Sequence, residues 1–386
     1  MFRVTRAFAT RRAAVQLLVL PVSLVAVTSG AASARDPRPP PAFAGASVAM
    51  LRASARELVS SGVPGVVVLA RRGNETVRIV AGTLSLRTHE PVQATDRFRI
   101  GSVTKTYVAA VVLQLVAEHR LRLRDTVARW LPGLVPDGGR ITVRDLLLHR
   151  SGLYDYWGDR RFFVPYREGD LTYHYTPLQL VRIAISHAPR FPPDTRFAYT
   201  NTGYIVLGLI VEAVTGKPLG VELRQRIFLP LHLTGTSFGR GTARNGRSAH
   251  GYIRIGGRLR DTSPMDLSFD WASGAIVSTA DDIAGFYRAL LTGRLLPRRL
   301  VHLMTVTAAA NKDWYGFGIM KRKLACGLTW GHAGDTPGFA ADVQDSLDGS
   351  RQSVALMSMD LGSIPKPVRE QFFRLSANAY CLLAEG

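Results

Sequence analysis

Cysteine is nearly absent from this 386-residue chain, which has only two, Cys326 and Cys381. That excludes paired-cysteine zinc modules and disulfide-dense scaffolds. Lysine is scarce too: six of the 49 basic residues are lysine, the rest arginine. No H-E-x-x-H helix, P-loop, zinc-finger spacing, recognition-helix pattern or RNA-binding signature is present, so no metal, cofactor or nucleic-acid partner is indicated. No apolar run reaches the ~18 residues that a membrane span needs. Charged residues make up only 20% of the chain, which excludes extensive disorder. The 46% hydrophobic content suffices for one large domain or two smaller ones.

The N-terminus stands apart from the rest. Arg3, Arg6, Arg11 and Arg12 precede the apolar stretch AAVQLLVLPVSLVAV, which Pro21 interrupts. Ala32-Ser33-Ala34 then supplies a small-x-small cleavage pattern. Residues 1–34 therefore read as a secretory signal peptide, and the mature protein is expected outside the cell or at the cell wall. Residues 35–43 form a proline-rich leader that cannot be helix interior. In an exported protein the two cysteines are expected to bridge. Cys326–Cys381 would close a loop of about 55 residues, worth roughly 4 kcal/mol in the chain-entropy picture. It would tie the last helix to the strand region before His332. The formal charge is +20. The arginines form no run of five or six, which reads as arginine-biased coding. A basic surface meeting an anionic cell-wall polymer is the other reading.

Elsewhere the pattern is mixed. Residues 44–61 have helical spacing and stop at Gly62. GVVVLARR and ETVRIVAG read as strands joined by the turn pair Gly73-Asn74. Thr142-Val143-Arg144-Asp145 is a capping box opening the helix of DLLLH. Residues 156–176 lack periodicity, are rich in aromatics and read as a loop over a site. STADDIAGFYRALL is a capped amphipathic helix. YGFGIMKRK, GLTWGHAG, FAADVQDS and SVALMSMD read as successive antiparallel strands, and a closing helix follows. The expectation is an α/β fold: layers at 44–118 and 269–386 bracket an all-helical insertion at 119–268.

Three motifs carry chemistry. In Ser102-Val103-Thr104-Lys105, residues three apart share a helix face, and a serine at the first turn sits among free N–H groups. A serine hydroxyl needs a base, and lysine becomes one only when burial lowers its pKa towards 7–8. In Tyr199-Thr200-Asn201, extended backbone sends the phenol and the amide to the same side. In His332-Ala333-Gly334, histidine and glycine share a strand face, and glycine would admit a substrate backbone. Each motif alone is common. S-x-x-K also describes a capped helix with a solvated lysine, Y-x-N a core aromatic with an N-cap, and H-x-G a surface turn.

Their order carries the inference. S-x-x-K, then Y-x-N about a hundred residues on, then H-x-G near the chain end, together with LLLHRSGL, YTNTGY, STADDIAGF and YGFG, resembles the serine β-lactamase and penicillin-binding-protein superfamily. The likeness is to the branch with class C β-lactamases, secreted D-alanyl-D-alanine carboxypeptidases and esterases. It covers residues 44–386. The resemblance implies an α/β sandwich, a central antiparallel sheet flanked by helices, with an all-helical region beside it and the active site in the groove between. It implies Ser102 as acylated nucleophile, Lys105 and Tyr199 sharing proton transfer, and Asn201 orienting substrate. It places His332 where the lactamases carry lysine, able to polarise Tyr199, and gives Ser102 and Asp335 as oxyanion N–H donors. Trp271 is expected as a cleft wall.

Two departures bear on substrate. Ala333 lacks the hydroxyl that binds a substrate carboxylate, and Asp335 would repel one; Arg322 is a candidate replacement. Tyr154, Tyr156, Trp157 and Phe162 could form an apolar wall. Substrates are expected among small peptides, β-lactams and esters. D-alanyl-D-alanine carboxypeptidase action on peptidoglycan peptides comes first, with an esterase or D-specific peptidase as the alternative. Both stand ahead of a β-lactamase or a non-catalytic penicillin-binding protein.

Overall fold

The computed structural model describes residues 45–239, 246–307 and 314–381. The signal-peptide and leader segments lie outside the described residues. Helix α1 (Gly45–Ser60) buries Leu51, Ala55 and Leu58, a spacing that puts all three on one face. Strands β1 (Gly65–Arg72) and β2 (Glu75–Gly82) form the expected hairpin, with Val68 opposite Ile79. Helix α2 (Thr104–Ala117) is apolar nearly all round and buried along almost its whole length. Helix α3 (Val143–Leu147) opens on the Thr142/Asp145 capping box, with both reciprocal bonds present. Helix α4 (Asn201–Thr215) is the core helix of the middle region. A hairpin of β3 (Tyr252–Ile255) and β4 (Arg258–Asp261) follows. Helix α5 (Ala280–Leu291) is capped by Thr279, whose side chain accepts from the Asp282 N–H. The C-terminal part supplies β5 (Met320–Leu324), β6 (Gly327–Gly331), β7 (Ala333–Thr336), β8 (Phe339–Asp345), β9 (Arg351–Met357) and helix α6 (Lys366–Cys381).

Seven strands make one antiparallel sheet in the order β2-β1-β9-β8-β6-β5, with β7 also pairing β8. β1 is a near-continuous apolar run because both of its faces are covered. Val66, Val68 and Ala70 pack into a core with α1 and α6, while Val67 and Leu69 face the larger core that contains α2 and α5. Cys381, the last residue of α6, is bonded to Cys326 in the turn between β5 and β6. Among the described residues no single helix is long and apolar enough to cross a membrane.

Two sequence expectations change. The middle region is not all helical: it holds the β3–β4 hairpin and the short strand Ser237–Phe238, which joins Phe98–Arg99 and Ile276–Ser278 in a second small sheet. Two four-residue, arginine-rich strands joined by the pair Gly256-Gly257 give too little period-2 signal to separate from loop. GLTWGHAG is also two strands, broken at His332.

Candidate active site

The site is built where three chain segments meet at the N-terminal end of α2. Gly101 has φ +50°, and a Cβ there would lie 2.9 Å from the backbone N of Asp335. Only glycine lets the two backbones come this close. Ser102 follows in a 3-10 turn, Gly101–Val103, that leads into α2. Gly334 approaches from the other side: a Cβ there would stand 2.0 Å from the Ile100 carbonyl oxygen. The tight contact at Gly334 is therefore with the chain's own nucleophile turn, and this replaces the expected approach of substrate backbone.

Lys105 is fully buried one turn beyond Ser102. Its Nζ lies 2.9 Å from Ser102 Oγ, 2.7 Å from Asn201 Oδ1 and 2.9 Å from the Ser273 carbonyl oxygen. Two of these partners only accept. They take both hydrogens of a neutral amine, so its lone pair is left facing the serine hydroxyl. Burial lowers the Lys105 pKa to about 7, against the opposing pull of Asp270 and Asp155. Asp155 accepts from Asn201 Nδ2 at 3.3 Å, which fixes the amide with its oxygen towards the lysine.

Tyr199 and Asn201 flank Thr200, the extended residue before α4. The Tyr199 ring centroid is 4.9 Å from Lys105 Nζ. Burial holds its phenol well above the usual tyrosine range, partly offset by a hydrogen bond with Ser102. It is thus a neutral hydroxyl, suited to passing a proton on rather than to acting as a phenolate.

His332 is buried behind this pair, with its ring centroid 6.4 Å from that of Tyr199. Nδ1 donates to the Ala333 carbonyl at 2.6 Å, so Nε2 is the acceptor and takes the Tyr315 hydroxyl at 3.1 Å. Burial, and next Lys105, depress its pKa to about 3. His332 is therefore neutral and bonded to Tyr315 rather than to Tyr199. It does not reproduce the cation that the superfamily's lysine would bring.

The oxyanion donors follow from strand register. The Val343 N–H donates to the His332 carbonyl, and the antiparallel alternation then makes Asp335/Ala340 a non-bonded pair. The Asp335 N–H consequently points away from β8 towards Gly101. The Ser102 N–H, at the opening of its turn, lacks an i−4 partner.

Above Ser102 lies a groove of about 610 Å³. Trp157, Tyr199, Asn201, Asp270, Asp335 and Asp360 line it, and Ile253, Arg254 and Ile255 of the hairpin stand at its rim. Trp271 does not form a wall. Its ring packs beneath α4, where a Cβ on Gly208 would meet it at 2.6 Å; the neighbouring Asp270 faces the groove instead. Of the four loop aromatics only Trp157 lines it. Tyr156 and Phe162 are buried in the core, and Tyr154 stacks on His187 at 3.9 Å. Arg322 is held by Asp342 on β8 and is not a groove residue. Desolvation raises the Asp335 carboxyl to about 7, with Asp360 and Asp270 adding to the effect, while the Leu361 N–H donates to it at 2.8 Å. Asp155, Asp270, the Ser273 carbonyl and Tyr315 were not singled out from sequence. Tyr315 sits inside YGFG, a phrase that carried the resemblance, and Asp155 lies two residues beyond LLLHRSGL. Nothing local marks Asp270 or Ser273. Among the described residues no group of three or more His, Cys, Asp or Glu side chains is placed to hold a metal ion.

Comparison with known proteins places this arrangement. A family profile described as Beta-lactamase matches residues 49–372. Penicillin-binding protein 4 of Amycolatopsis lactamdurans is 30% identical over 277 residues, 70% of each chain. D-aminopeptidase of Brucella ovis is 28% identical over 337 residues; the match covers 80% of this chain and 62% of the longer relative. The crystal structure of a D-stereospecific amidohydrolase from Streptomyces superposes with a TM-score of 0.77 at 35% identity, covering 85% of this chain and 98% of that one. The D-amino acid amidase of Ochrobactrum anthropi SV3, complexed with L-phenylalanine amide, gives 0.74 at 25% identity, covering 86% and 97%.

Proposed function

The chain belongs to the serine β-lactamase and penicillin-binding-protein superfamily and is a serine hydrolase of that fold; from that premise we propose that it is an exported amidohydrolase that cleaves amide bonds of D-residues through an acyl-Ser102 intermediate. The observation that carries this reading is the buried Lys105 amine, whose Nζ lies 2.9 Å from Ser102 Oγ while Asn201 Oδ1 and the Ser273 carbonyl accept its other hydrogens. Lys105 takes the hydroxyl proton as Oγ bonds to the scissile carbonyl carbon. The Ser102 and Asp335 N–H groups hold the oxyanion, and each such donor contributes about 2.7–4 kcal/mol. Tyr199 passes a proton to the leaving nitrogen as the C–N bond breaks. Water then attacks acyl-Ser102, and the acid leaves.

The choice of amide over D-alanyl-D-alanine substrates rests on charge. A carboxypeptidase must hold a free carboxylate next to the scissile bond. The groove instead offers Asp270, Asp335 and Asp360; Arg254 stands at the rim with Nη1 on the Gly257 carbonyl, and Arg322 is engaged by Asp342. The Streptomyces and Ochrobactrum enzymes, whose names specify D-stereospecific amide hydrolysis, support the same choice. Export rests on the N-terminal sequence pattern alone. The test is release of ammonia from D- and L-phenylalanine amide beside release of D-alanine from a D-Ala-D-Ala peptide. Faster ammonia release from the D-amide is expected. D-alanine release as the faster reaction would return the assignment to carboxypeptidase.

A further inference from the structure

Asp270 is a buried carboxyl that the acyl-transfer steps do not use. Its side chain is only 4% exposed, yet it lines the groove beside Ser102. Thr336 Oγ1 donates to Oδ2 at 2.7 Å, whereas Oδ1 accepts no hydrogen bond from the described residues. The Trp157 indole Nε1 is directed at the carboxyl and stabilises its charge from beyond the reach of a full hydrogen bond. Asp270 thus presents Oδ1 to the groove, in a wall that also carries Asp335 and Asp360.

Its placement is costly. Trp271, the next residue, has φ +30°, a backbone state that side-chain-bearing residues rarely adopt. The Trp271 ring and Ala272 wedge against Gly208 of α4 and hold that turn. The same turn delivers the Ser273 carbonyl to Lys105. Asp270 and one acceptor of the base are therefore carried by one four-residue segment, and the carboxyl lines the groove. The positive groups whose fields reach Asp270 are Lys105 and Arg99. Arg99 gives Nη2 to the Ser263 and Met265 carbonyls and keeps Nη1 unpaired, and Lys105 is held by its three partners. Neither closes a bond to Oδ1. A buried carboxylate with a free oxygen is expensive unless a cation completes it.

We infer that Asp270 is a specificity-determining residue that receives the substrate's α-ammonium, so that the preferred acyl donors are D-residues with a free amino group. This rests on the amidohydrolase reading for the identity of the natural bond, but not for its test. Any acyl-serine enzyme opens an activated ester, so esters separate the two questions. In the wild-type protein, kcat/KM is compared for the methyl esters of D-phenylalanine, N-acetyl-D-phenylalanine and D-phenyllactate at about pH 7, where a substantial share of the amino ester is still an ammonium. The same ratios are then measured in Asp270→Asn. Because Asp270 also acts on Lys105, the variant changes the base for all three esters, and the ratio cancels that effect.

The free-amine ester is expected to lead both others in the wild type. In Asp270→Asn its lead should fall about tenfold to a hundredfold, as expected for loss of a charge-assisted hydrogen bond. The fall should appear mainly in KM. A wild-type preference for the N-acetyl or hydroxy ester would overturn the inference without any variant, so it stays testable even if Asp270→Asn fails to fold. An equal loss on all three esters would also overturn it and would leave Asp270 a structural residue. Amide hydrolysis failing while the ester ratios behave as described would sink the proposed bond type but not the role of Asp270.

Discussion

Replacing Lys105 with methionine should change stability in a way that depends on pH. The buried lysine carries a pKa of about 7 where an ordinary lysine has 10.5. Between those values the unfolded chain binds a proton that the folded chain does not. Stability therefore rises with pH across the interval, and the full penalty of burying the ammonium applies below pH 7. The lowered pKa corresponds to about 5 kcal/mol in total, gained back at about 1.4 kcal/mol per pH unit. Lys105→Met removes this dependence and also leaves Asn201 Oδ1 and the Ser273 carbonyl without their donor. Its constant offset is thus a balance of two terms, but its pH slope is not. Guanidinium denaturation of both proteins between pH 7.5 and 9 keeps above the Asp270 and Asp335 carboxyls, which titrate at about 6 and about 7. The stability of the wild type relative to the variant should rise by about 2 kcal/mol over that range. The acid limb of wild-type kcat/KM should show an inflection near pH 7. Parallel stability curves would mean that Lys105 has an ordinary pKa and cannot serve as the base.

Other outcomes follow from single contacts. Tyr199→Phe removes the proton relay but keeps the ring, and should lower kcat by about a hundredfold to ten-thousandfold with little change in KM, read by steady-state kinetics. Gly334→Ala places a methyl 2.0 Å from the Ile100 carbonyl. The resulting shift of the Ser102 turn should cost about a hundredfold in kcat/KM, since small misplacements are felt strongly. Removing the disulfide with paired Cys326→Ala and Cys381→Ala changes should cost roughly 4 kcal/mol of unfolding free energy, because the loop it closes spans 55 residues.

What was legible in the sequence was what periodicity and short-range spacing encode. Ser102 and Lys105 share a helix face, Tyr199 and Asn201 flank one extended residue, and the β1–β2 hairpin turns at Gly73-Asn74. The Thr142/Asp145 capping box carries its own signature. What stayed hidden depends on contacts between segments far apart in the chain. His332 binds Tyr315, seventeen residues earlier, because strand geometry turns Nε2 that way. Asp270 faces the groove and Trp271 does not, because the strained turn between them reverses direction. Alternation along an ideal strand cannot anticipate the break at His332. Nor can composition reveal that a chain of charge +20 lines its groove with carboxyls.

The central claim is that Ser102 is the acylated nucleophile. The direct measurement is to label the protein with a fluorophosphonate and with a fluorescent penicillin, digest it, and locate each adduct by mass spectrometry. The account predicts a phosphonyl adduct on Ser102, absent from Ser102→Ala and from Lys105→Met at pH 7. An adduct on any other residue, or labelling that survives Ser102→Ala, would contradict it.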